Sequence, residues 1–501
     1  MSKSLSIFYG EKATCERESD EEMISEGDYP RKKQYHRAWM MAGSEGPWAA
    51  REKGEEKSNT HWQEYTQDNL DYLLHFDGHL NTTIKPAGIG QNPGQKPGRK
   101  DGLPGEEAEN KWGQPTKNKE YAWHRMAKDI KVYNTKNPKP KPKDALLFGK
   151  VATDHMLEVK YANGAWGTPV IRELAPINIH PMAKVLHYCP TVFEGLKAFR
   201  GVDNEIRLFR IDKNMQRMVK SAQRSALPEF CPIELERLIE LLVRIDQEWV
   251  PSTPDTSLYI RPVLIGTDPC LGVSVSSEAT LLVMACPVGS YYSGGGSRIT
   301  LYADPTHIRS APGGTGAYKM GCNYAPSVQI SEQAKKKYGC DQVLWLDGPN
   351  EAVTEAGTSN IFIYWKTREG ELELVTPPLE HGLILPGVTR DACLELARGY
   401  HDINVVEKYT TIEEIQQAKE EKRLLQVFGT GTAAVISDIG RIVYIPRRSQ
   451  ENYLDPSMLH IIDVDQLPEG VPDVQKRLYD TITGIQYGRI ARPDWTRVVD
   501  G

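Results

Sequence analysis

The 501-residue sequence contains no run of eighteen apolar residues, so no segment is expected to cross a bilayer as a helix. It also has no excess of basic side chains. The 61 Lys and Arg residues are outnumbered by 67 Asp and Glu, and the formal net charge is -6. A chain of this charge is not expected to bind nucleic acid or an anionic membrane surface. The composition thus argues against two large classes of partner.

Closely spaced cysteines are absent as well. The eight cysteines are scattered singly, without a Cys-x-x-Cys pair and without the spacing of metal ligands. This usage is typical of buried thiols in a reducing compartment, and it predicts no metal site.

The first residues lack the apolar core of a secretory signal. The segment from Glu16 to Asp28 is acidic, whereas mitochondrial presequences avoid acidic residues. We therefore predict a cytoplasmic location, with the mitochondrion as the alternative.

Sustained apolar periodicity is missing from residues 1–143. This part is rich in Lys, Glu, Gly, Asn and Pro, and its apolar residues occur singly. Such a composition cannot bury enough surface to offset chain entropy, which predicts a largely disordered extension. The Lys/Pro run from Asn137 to Lys143 is typical of a stiff linker. The extension could be a docking or regulatory arm, but an inert extension or a mispredicted start is the favoured interpretation.

From Leu146 onward, strand-like runs alternate with amphipathic segments. Apolar residues recur at helical spacing over Asp212–Ala226 and Ile233–Val250. The pattern predicts an α+β fold with a smaller domain over residues 144–288. The predicted strands are His155–Tyr161, Glu205–Arg210, Leu258–Ile265 and Ala279–Pro287.

A glycine- and serine-rich stretch at residues 289–297 predicts a second boundary. Gly294–Gly296 could form a phosphate cradle, but no helix follows them, which favours an interdomain loop. Residues 298–501 then form the predicted larger domain. Its expected helices are Ala325–Lys337, Thr389–Tyr400 and Thr481–Arg489.

One lysine in the larger domain stands in an unusual setting. Lys319 follows the glycine-dense run 313–316, and Tyr324 lies five residues further on. Glycine lets the backbone approach a bulky ligand closely. A lysine that such a loop keeps from water is the usual partner of a carbonyl group in a Schiff base. The alternative is a surface loop that carries an ordinary lysine.

The segment Glu351–Phe362 favours the Schiff-base interpretation of Lys319 over that of an ordinary surface lysine. Together with Lys319 and Tyr324 it closely resembles the branched-chain aminotransferases, which are fold type IV enzymes that use pyridoxal 5′-phosphate (PLP). The motifs Phe193–Phe199 and Leu385–Arg390 recur in the same order. The resemblance runs from about Leu147 to the C-terminus and leaves out the first ~140 residues.

The resemblance implies a role for each part of the site. Lys319 is the catalytic residue and binds the cofactor, Glu355 contacts its ring nitrogen, and Tyr324 contacts its phenolic oxygen. Two turns are expected to hold the phosphate through N–H groups and hydroxyls, one of them at a helix start. The remaining cofactor-binding residues implied in this way are Arg217, Thr358, Val388, Thr389 and Thr432.

The resemblance also implies a substrate pocket with aromatic walls, which suits branched aliphatic side chains. Its implied residues are Phe148, Tyr188, Phe193, Tyr259, Arg261, Tyr291 and Ala433. The expected reaction moves the amino group of L-leucine, L-isoleucine or L-valine to 2-oxoglutarate by ping-pong exchange through pyridoxamine phosphate. A homodimer is expected. D-amino acid aminotransferase and aminodeoxychorismate lyase remain open, because they share the lysine and the glutamate.

Overall fold

A computed structural model of the protein describes residues 127–142, 146–289, 298–446 and 459–499. All of them belong to one compact unit, Pro104–Gly501. Most of the predicted N-terminal extension, most of the predicted interdomain loop and Tyr291 lie outside the described residues.

The described residues form nineteen strands and seven α-helices, and they confirm the predicted mixture of both. The strands are β1 (Lys131–Val132), β2 (His155–Ala162), β3 (Ala165–Trp166), β4 (Val170–Glu173), β5 (Thr191–Phe193), β6 (Leu196–Arg200), β7 (Ile206–Phe209), β8 (Ser257–Gly266), β9 (Ala279–Val288), β10 (Ile299–Ala303), β11 (Gln342–Asp347), β12 (Ala352–Ala356), β13 (Ser359–Lys366), β14 (Leu372–Thr376), β15 (Asn404–Glu407), β16 (Leu424–Gly431), β17 (Val435–Tyr444), β18 (His460–Asp463) and β19 (Thr496–Val498). The helices are α1 (Lys184–Tyr188), α2 (Ile211–Arg224), α3 (Pro232–Ile245), α4 (Ala325–Tyr338), α5 (Val388–Ala397), α6 (Ile412–Glu420) and α7 (Val474–Gln486).

The first sheet has the strand order β1-β4-β2-β9-β8-β6-β7-β19, with β3 beside β2 and β5 beside β8. Helices α2 and α3 cover one face of it. The predicted apolar stripe of α2 is confirmed, since Met215, Met218 and Ala222 are buried in the same core as Leu238 and Leu242 of α3. Burying these side chains on the sheet removes their apolar surface from water and holds the layers together.

The second sheet has the order β12-β11-β10-β17-β16-β13-β14-β15, with β18 beside β17. An additional pairing joins β12 to β13, so the six strands from β12 round to β13 close into a barrel. Closure leaves no free edge within this ring. The strand β12 carries Glu355, and the turn between β16 and β17 carries Thr432 and Ala433.

Residues 127–142 differ from the predicted extension. Strand β1 pairs in parallel with β4, and the Thr135 N–H donates to Nε2 of His155 at 3.0 Å. Lys139 donates its backbone N–H to Asp154 at 2.8 Å. A two-residue strand has no periodicity to detect, and its partners come later in the chain. The smaller domain therefore begins earlier than the predicted residue 144.

The C-terminus also departs from the predicted domain assignment. The sequence assigns residues 298–501 to the larger domain, but β19 pairs antiparallel with β7 of the first sheet. Strand β7 is a sheet edge without it, and its free backbone groups can accept such a partner. Helix α7 also begins at Val474, seven residues before the predicted Thr481.

Neither a membrane span nor a metal cluster is found among the described residues. None of their helices is long and apolar enough to cross a membrane. No group of three or more His, Cys, Asp or Glu side chains among them is arranged to hold a metal ion.

Candidate active site

Lys319 is anchored through its backbone to the first sheet and to the helix that covers it. Its N–H donates to Oγ of Ser221 on α2 at 2.9 Å, and its carbonyl accepts the Phe193 N–H at 3.1 Å. Gly316, three residues earlier, packs directly on the backbone of another segment. A Cβ there would lie 2.6 Å from the Leu383 carbonyl oxygen. The predicted need for glycine ahead of the lysine is met at this position.

The side chain of Lys319 enters a cavity of about 330 Å³. Its Nζ lies 3.2 Å from the Tyr324 hydroxyl and 4.9 Å from the centre of the Phe193 ring. Nine of the predicted site residues line this cavity. They are Phe148, Phe193, Tyr259, Arg261, Lys319, Tyr324, Thr358, Thr432 and Ala433.

Arg261 is the cation on the aromatic side of the cavity. Its Nη2 donates to the Tyr259 hydroxyl at 2.8 Å, and its guanidinium lies 4.8 Å from the centre of the Phe193 ring. No salt bridge joins Arg261 to a carboxylate within the described ranges. A guanidinium in this setting suits a planar anion such as a carboxylate.

Glu355 lies behind the cavity and is 2% exposed. Its Oε1 accepts the Leu385 N–H at 2.8 Å and an Asn360 side-chain N–H at 3.2 Å. Its Oε2 lies 2.6 Å from Nε of Arg309. Burial raises the pKa of Glu355, whereas the charge of Arg309, the hydrogen bond from the Leu385 N–H and the charge of Lys319 oppose this rise. Glu355 thus lies within electrostatic reach of Lys319.

Arg217 is paired inside the protein. Glu194, which is fully buried, accepts from Nε and from Nη2 of Arg217 at 2.8 Å each. The arginine's Nη1 donates to the Pro386 carbonyl at 3.0 Å. The guanidinium therefore lies beside the segment that leads into α5, and two of its five N–H groups have no acceptor among the described residues.

The helix α5 starts at Val388, as the predicted phosphate turn requires. Gly387 is its N-cap, and the N–H groups of a first helical turn have no acceptor within the helix. A Cβ on Gly387 would lie 1.9 Å from Oδ1 of Asn360. Val388 and Thr389 line a small space together with Thr432 and Lys197, apart from the main cavity.

The turn between β16 and β17 is hydrogen-bonded to residues of the first sheet. Nζ of Lys197 donates to the Ala433 carbonyl at 2.6 Å, and the Thr432 hydroxyl donates to the Gly195 carbonyl at 3.2 Å. Val435 has φ 62°, a conformation that is strained for a β-branched residue. These contacts fix the turn that carries two predicted site residues.

Tyr188 is not brought to the cavity. It is 43% exposed, and its hydroxyl donates to the Leu271 carbonyl. Within this chain the prediction that Tyr188 lines the substrate pocket is therefore not met. Tyr291 lies outside the described residues.

Sequence reasoning missed four polar residues of the site: Glu194, Lys197, Arg309 and Asn360. The sequence does not indicate what any of them contacts, because their partners lie elsewhere in the chain. The available signal was position, since Glu194 and Lys197 lie inside the Phe193–Phe199 motif and Asn360 lies inside Glu351–Phe362.

Comparison with known proteins places this site in a family. The family model described as amino-transferase class IV matches residues 191–442. The chain is 47% identical over 372 residues to the cytosolic branched-chain-amino-acid aminotransferase of Caenorhabditis elegans, and the match covers 74% of this chain and 88% of the relative. It is 46% identical over 373 residues to the mitochondrial form of Mus musculus, with 74% and 91% covered.

Solved structures share the fold. The branched-chain amino acid aminotransferase of Escherichia coli matches with a TM-score of 0.53 at 25% identity, covering 69% of this chain and 99% of that one. The branched-chain amino acid aminotransferase of Thermobaculum terrenum, solved in its PLP form, matches with a TM-score of 0.51 at 21% identity, covering 70% and 99%.

The chain therefore belongs to the class IV aminotransferases, and it is an enzyme of that class. Within the class it belongs to the branched-chain-amino-acid aminotransferase family.

Proposed function

We propose that this enzyme moves the amino group of L-leucine, L-isoleucine or L-valine reversibly to 2-oxoglutarate, with PLP as cofactor. The observation that carries the proposal is the cavity, in which the Lys319 amine, an aromatic wall and the Arg261 cation meet. The identity of 47% and 46% to two branched-chain enzymes supports the same substrate class.

The residues present suit PLP. Lys319 supplies an amine, and Glu355 supplies a buried carboxylate that interacts electrostatically with it. Arg217 and the start of α5 offer N–H donors to a phosphate. Tyr324, Thr358, Val388, Thr389 and Thr432 complete the proposed cofactor set. When bound, PLP supplies the electron sink that stabilises negative charge at the substrate Cα.

Lys319 is the proposed acid and base. With PLP bound, its Nζ would remove the proton from the substrate Cα and pass it to the cofactor, and in the second half-reaction it would carry a proton back to the Cα of the new amino acid. The Tyr324 hydroxyl, 3.2 Å away, orients the amine.

The cavity wall selects the side chain. Phe148, Phe193 and Tyr259 exclude water from a branched aliphatic group, and each buried methylene contributes about 0.8 kcal/mol. Arg261 is proposed to hold the distal carboxylate of 2-oxoglutarate or glutamate, with Tyr259 as its support. Ala433 borders the same space.

An isotope experiment tests this function. The full chain with PLP is incubated with [¹⁵N]L-leucine and 2-oxoglutarate, and we expect ¹⁵N-glutamate and 4-methyl-2-oxopentanoate in equal amounts. Lys319→Ala should form neither, while Lys335→Ala, an exposed lysine on α4, should match the unchanged enzyme. Consumption of D-leucine or aminodeoxychorismate in place of L-leucine would favour the two alternative fold type IV activities.

We also propose a homodimer. Six apolar side chains are exposed on α1, just before it and on the loop after β8, and we call them the apolar patch: Met182, Leu186, Tyr188, Leu271, Val273 and Val275. Lys184 joins the two segments, because its Nζ contacts Asp268 at 2.9 Å and the Val275 carbonyl at 2.9 Å. Clustered exposed apolar surface is typical of an interaction site.

A cytoplasmic location stays a proposal that rests on the acidic N-terminal segment. The relatives include both cytosolic and mitochondrial forms. Subcellular fractionation of the native protein decides between the two compartments.

A further inference from the structure

Arg309 contacts both the strand that carries Glu355 and the glycine-rich run ahead of Lys319. On one side its Nε is 2.6 Å from Oε2 of Glu355. On the other its Nη1 donates to the Gly316 carbonyl at 3.2 Å, three residues before Lys319. The same Nη1 donates to the Leu383 carbonyl at 3.3 Å. The side chain of Arg309 is 5% exposed, so these bonds form away from water.

Three cations act on the Glu355 carboxylate, and they are not equivalent. Arg217 is engaged by Glu194 through two hydrogen bonds, so most of its charge is balanced there. Lys319 is the residue committed to the cofactor in the proposed function. Within the described ranges, Arg309 alone forms an ion pair with Glu355.

The ionisation of Glu355 depends on such a partner. Burial without a cation favours the protonated form of a carboxyl group. A neutral acid beside a pyridine nitrogen donates a hydrogen bond but carries no charge to favour the protonated ring. An ionised carboxylate favours the pyridinium form, which is the stronger electron sink.

We infer that Arg309 is a positioning residue that keeps Glu355 ionised, and thereby keeps the ring nitrogen of the bound cofactor protonated. The inference rests on the proposed use of PLP. Arg309 acts through Glu355, so its effect should appear at the ring nitrogen even when no amino acid is present.

Solid-state NMR of the full chain loaded with PLP that carries ¹⁵N in its ring provides the test. In the unchanged enzyme we expect the chemical shift of a protonated ring nitrogen. In Arg309→Met we expect the signal to move to the shift of an unprotonated nitrogen. Arg309→Lys keeps a cation near Glu355 and should retain at least part of the protonated signal. In steady-state kinetics of Arg309→Met, kcat should fall by about 10²-fold or more, the usual scale for losing acid–base assistance.

Arg298→Met is the matched control. Arg298 also bonds one carboxylate, Asp438 at 2.9 Å, and two carbonyls, those of Val464 and Ile439, but it lies away from the cavity. The ring-nitrogen signal of this variant should equal that of the unchanged enzyme. The single variant Arg309→Met leaves Glu355 buried without its partner and could fail to fold. The double variant Arg309→Met/Glu355→Gln removes both charges and is therefore measured as well. Its ring signal should equal that of Glu355→Gln alone.

Two results would overturn the inference. One is a protonated ring nitrogen in Arg309→Met. The other is a ring-nitrogen shift that differs between the double variant and Glu355→Gln, since Arg309 would then act on the ring independently of Glu355. If the unchanged enzyme binds no PLP, the proposed function fails instead, and the two failures are thus distinguishable.

Discussion

Glu194 holds Arg217 through both of its carboxylate oxygens, with Nε and Nη2 of the arginine each at 2.8 Å. Asn214 donates to the same carboxylate at 2.8 Å. The arginine implied in phosphate binding is therefore held in place by a buried ion pair within the protein.

Glu194→Ala would leave this arginine buried without its counter-charge. We expect the free energy of unfolding to fall by about 3–5 kcal/mol, as for other buried pairs that lose one partner. Urea unfolding measures the loss. Asp463→Ala breaks the exposed pair with Arg441 and should lower the free energy of unfolding far less, because water already screens that pair. Equal losses in the two variants would contradict the role given to Glu194.

Lys197 should give the stability a recognisable pH dependence. Burial lowers the pKa of Lys197 to about 8 from its usual 10.5. Above about pH 8 the folded chain has released this proton while the unfolded chain still binds it, so stability rises with pH up to about 10.5, at roughly 1.4 kcal/mol per pH unit.

Below about pH 8 the folded and the unfolded chain both hold the proton, so Lys197 does not make the free energy of unfolding depend on pH. Urea unfolding of cofactor-free protein between about pH 7 and 10, compared with Lys197→Met, isolates this contribution. A difference between the two proteins that does not change with pH would contradict it.

Arg261→Met should separate the two substrates. If Arg261 holds the distal carboxylate, the Michaelis constant for the oxo acid rises roughly 10- to 100-fold, because a hydrogen bond to a charged group contributes about 1.5–3 kcal/mol. The Michaelis constant for L-leucine should change little, since leucine has no distal carboxylate. Steady-state kinetics with each substrate varied in turn provides the comparison. An equal rise for both would assign Arg261 to the α-carboxylate instead.

Val273→Asp tests the proposed dimer. Val273 is 83% exposed, so the change should not disturb the folded chain itself, but a charge within the apolar patch should oppose its burial between two copies. Sedimentation should then detect monomers. Val202→Asp, at a 71% exposed position outside the patch, is the control and should sediment as the unchanged protein. Two unchanged profiles would rule out the patch as the interface.

The sequence predicts the features of this molecule that depend on residues close together in the chain. The amphipathic stripe of α2 and the glycines before Lys319 are confirmed because periodicity and turn chemistry act between near neighbours. The sequence prediction begins helix α7 at Thr481, whereas the helix begins at Val474. Pro472–Asp473 is an N-cap signal that indicates the earlier start. Asp473 does cap the helix by accepting the Lys476 N–H at 2.9 Å.

The contacts that complete the site join residues far apart in the sequence, and the sequence does not predict them. Lys197 and Ala433 meet across 236 residues, and Arg309 and Glu355 come from separate segments of the larger domain. No spacing rule joins such residues, because tertiary packing alone brings them together. Lys197 and Arg309 also resemble ordinary surface charges when only the sequence is known.

The proposed function can be tested most directly in a half-reaction. The PLP-loaded chain is mixed with L-leucine in the absence of any oxo acid, and the bound cofactor is identified by its visible absorption and by mass. We expect pyridoxamine phosphate and one equivalent of 4-methyl-2-oxopentanoate per site, and 2-oxoglutarate should then restore PLP. In Lys319→Ala, the bound cofactor should remain PLP at every step. A cofactor that binds but ignores L-leucine would contradict the proposal.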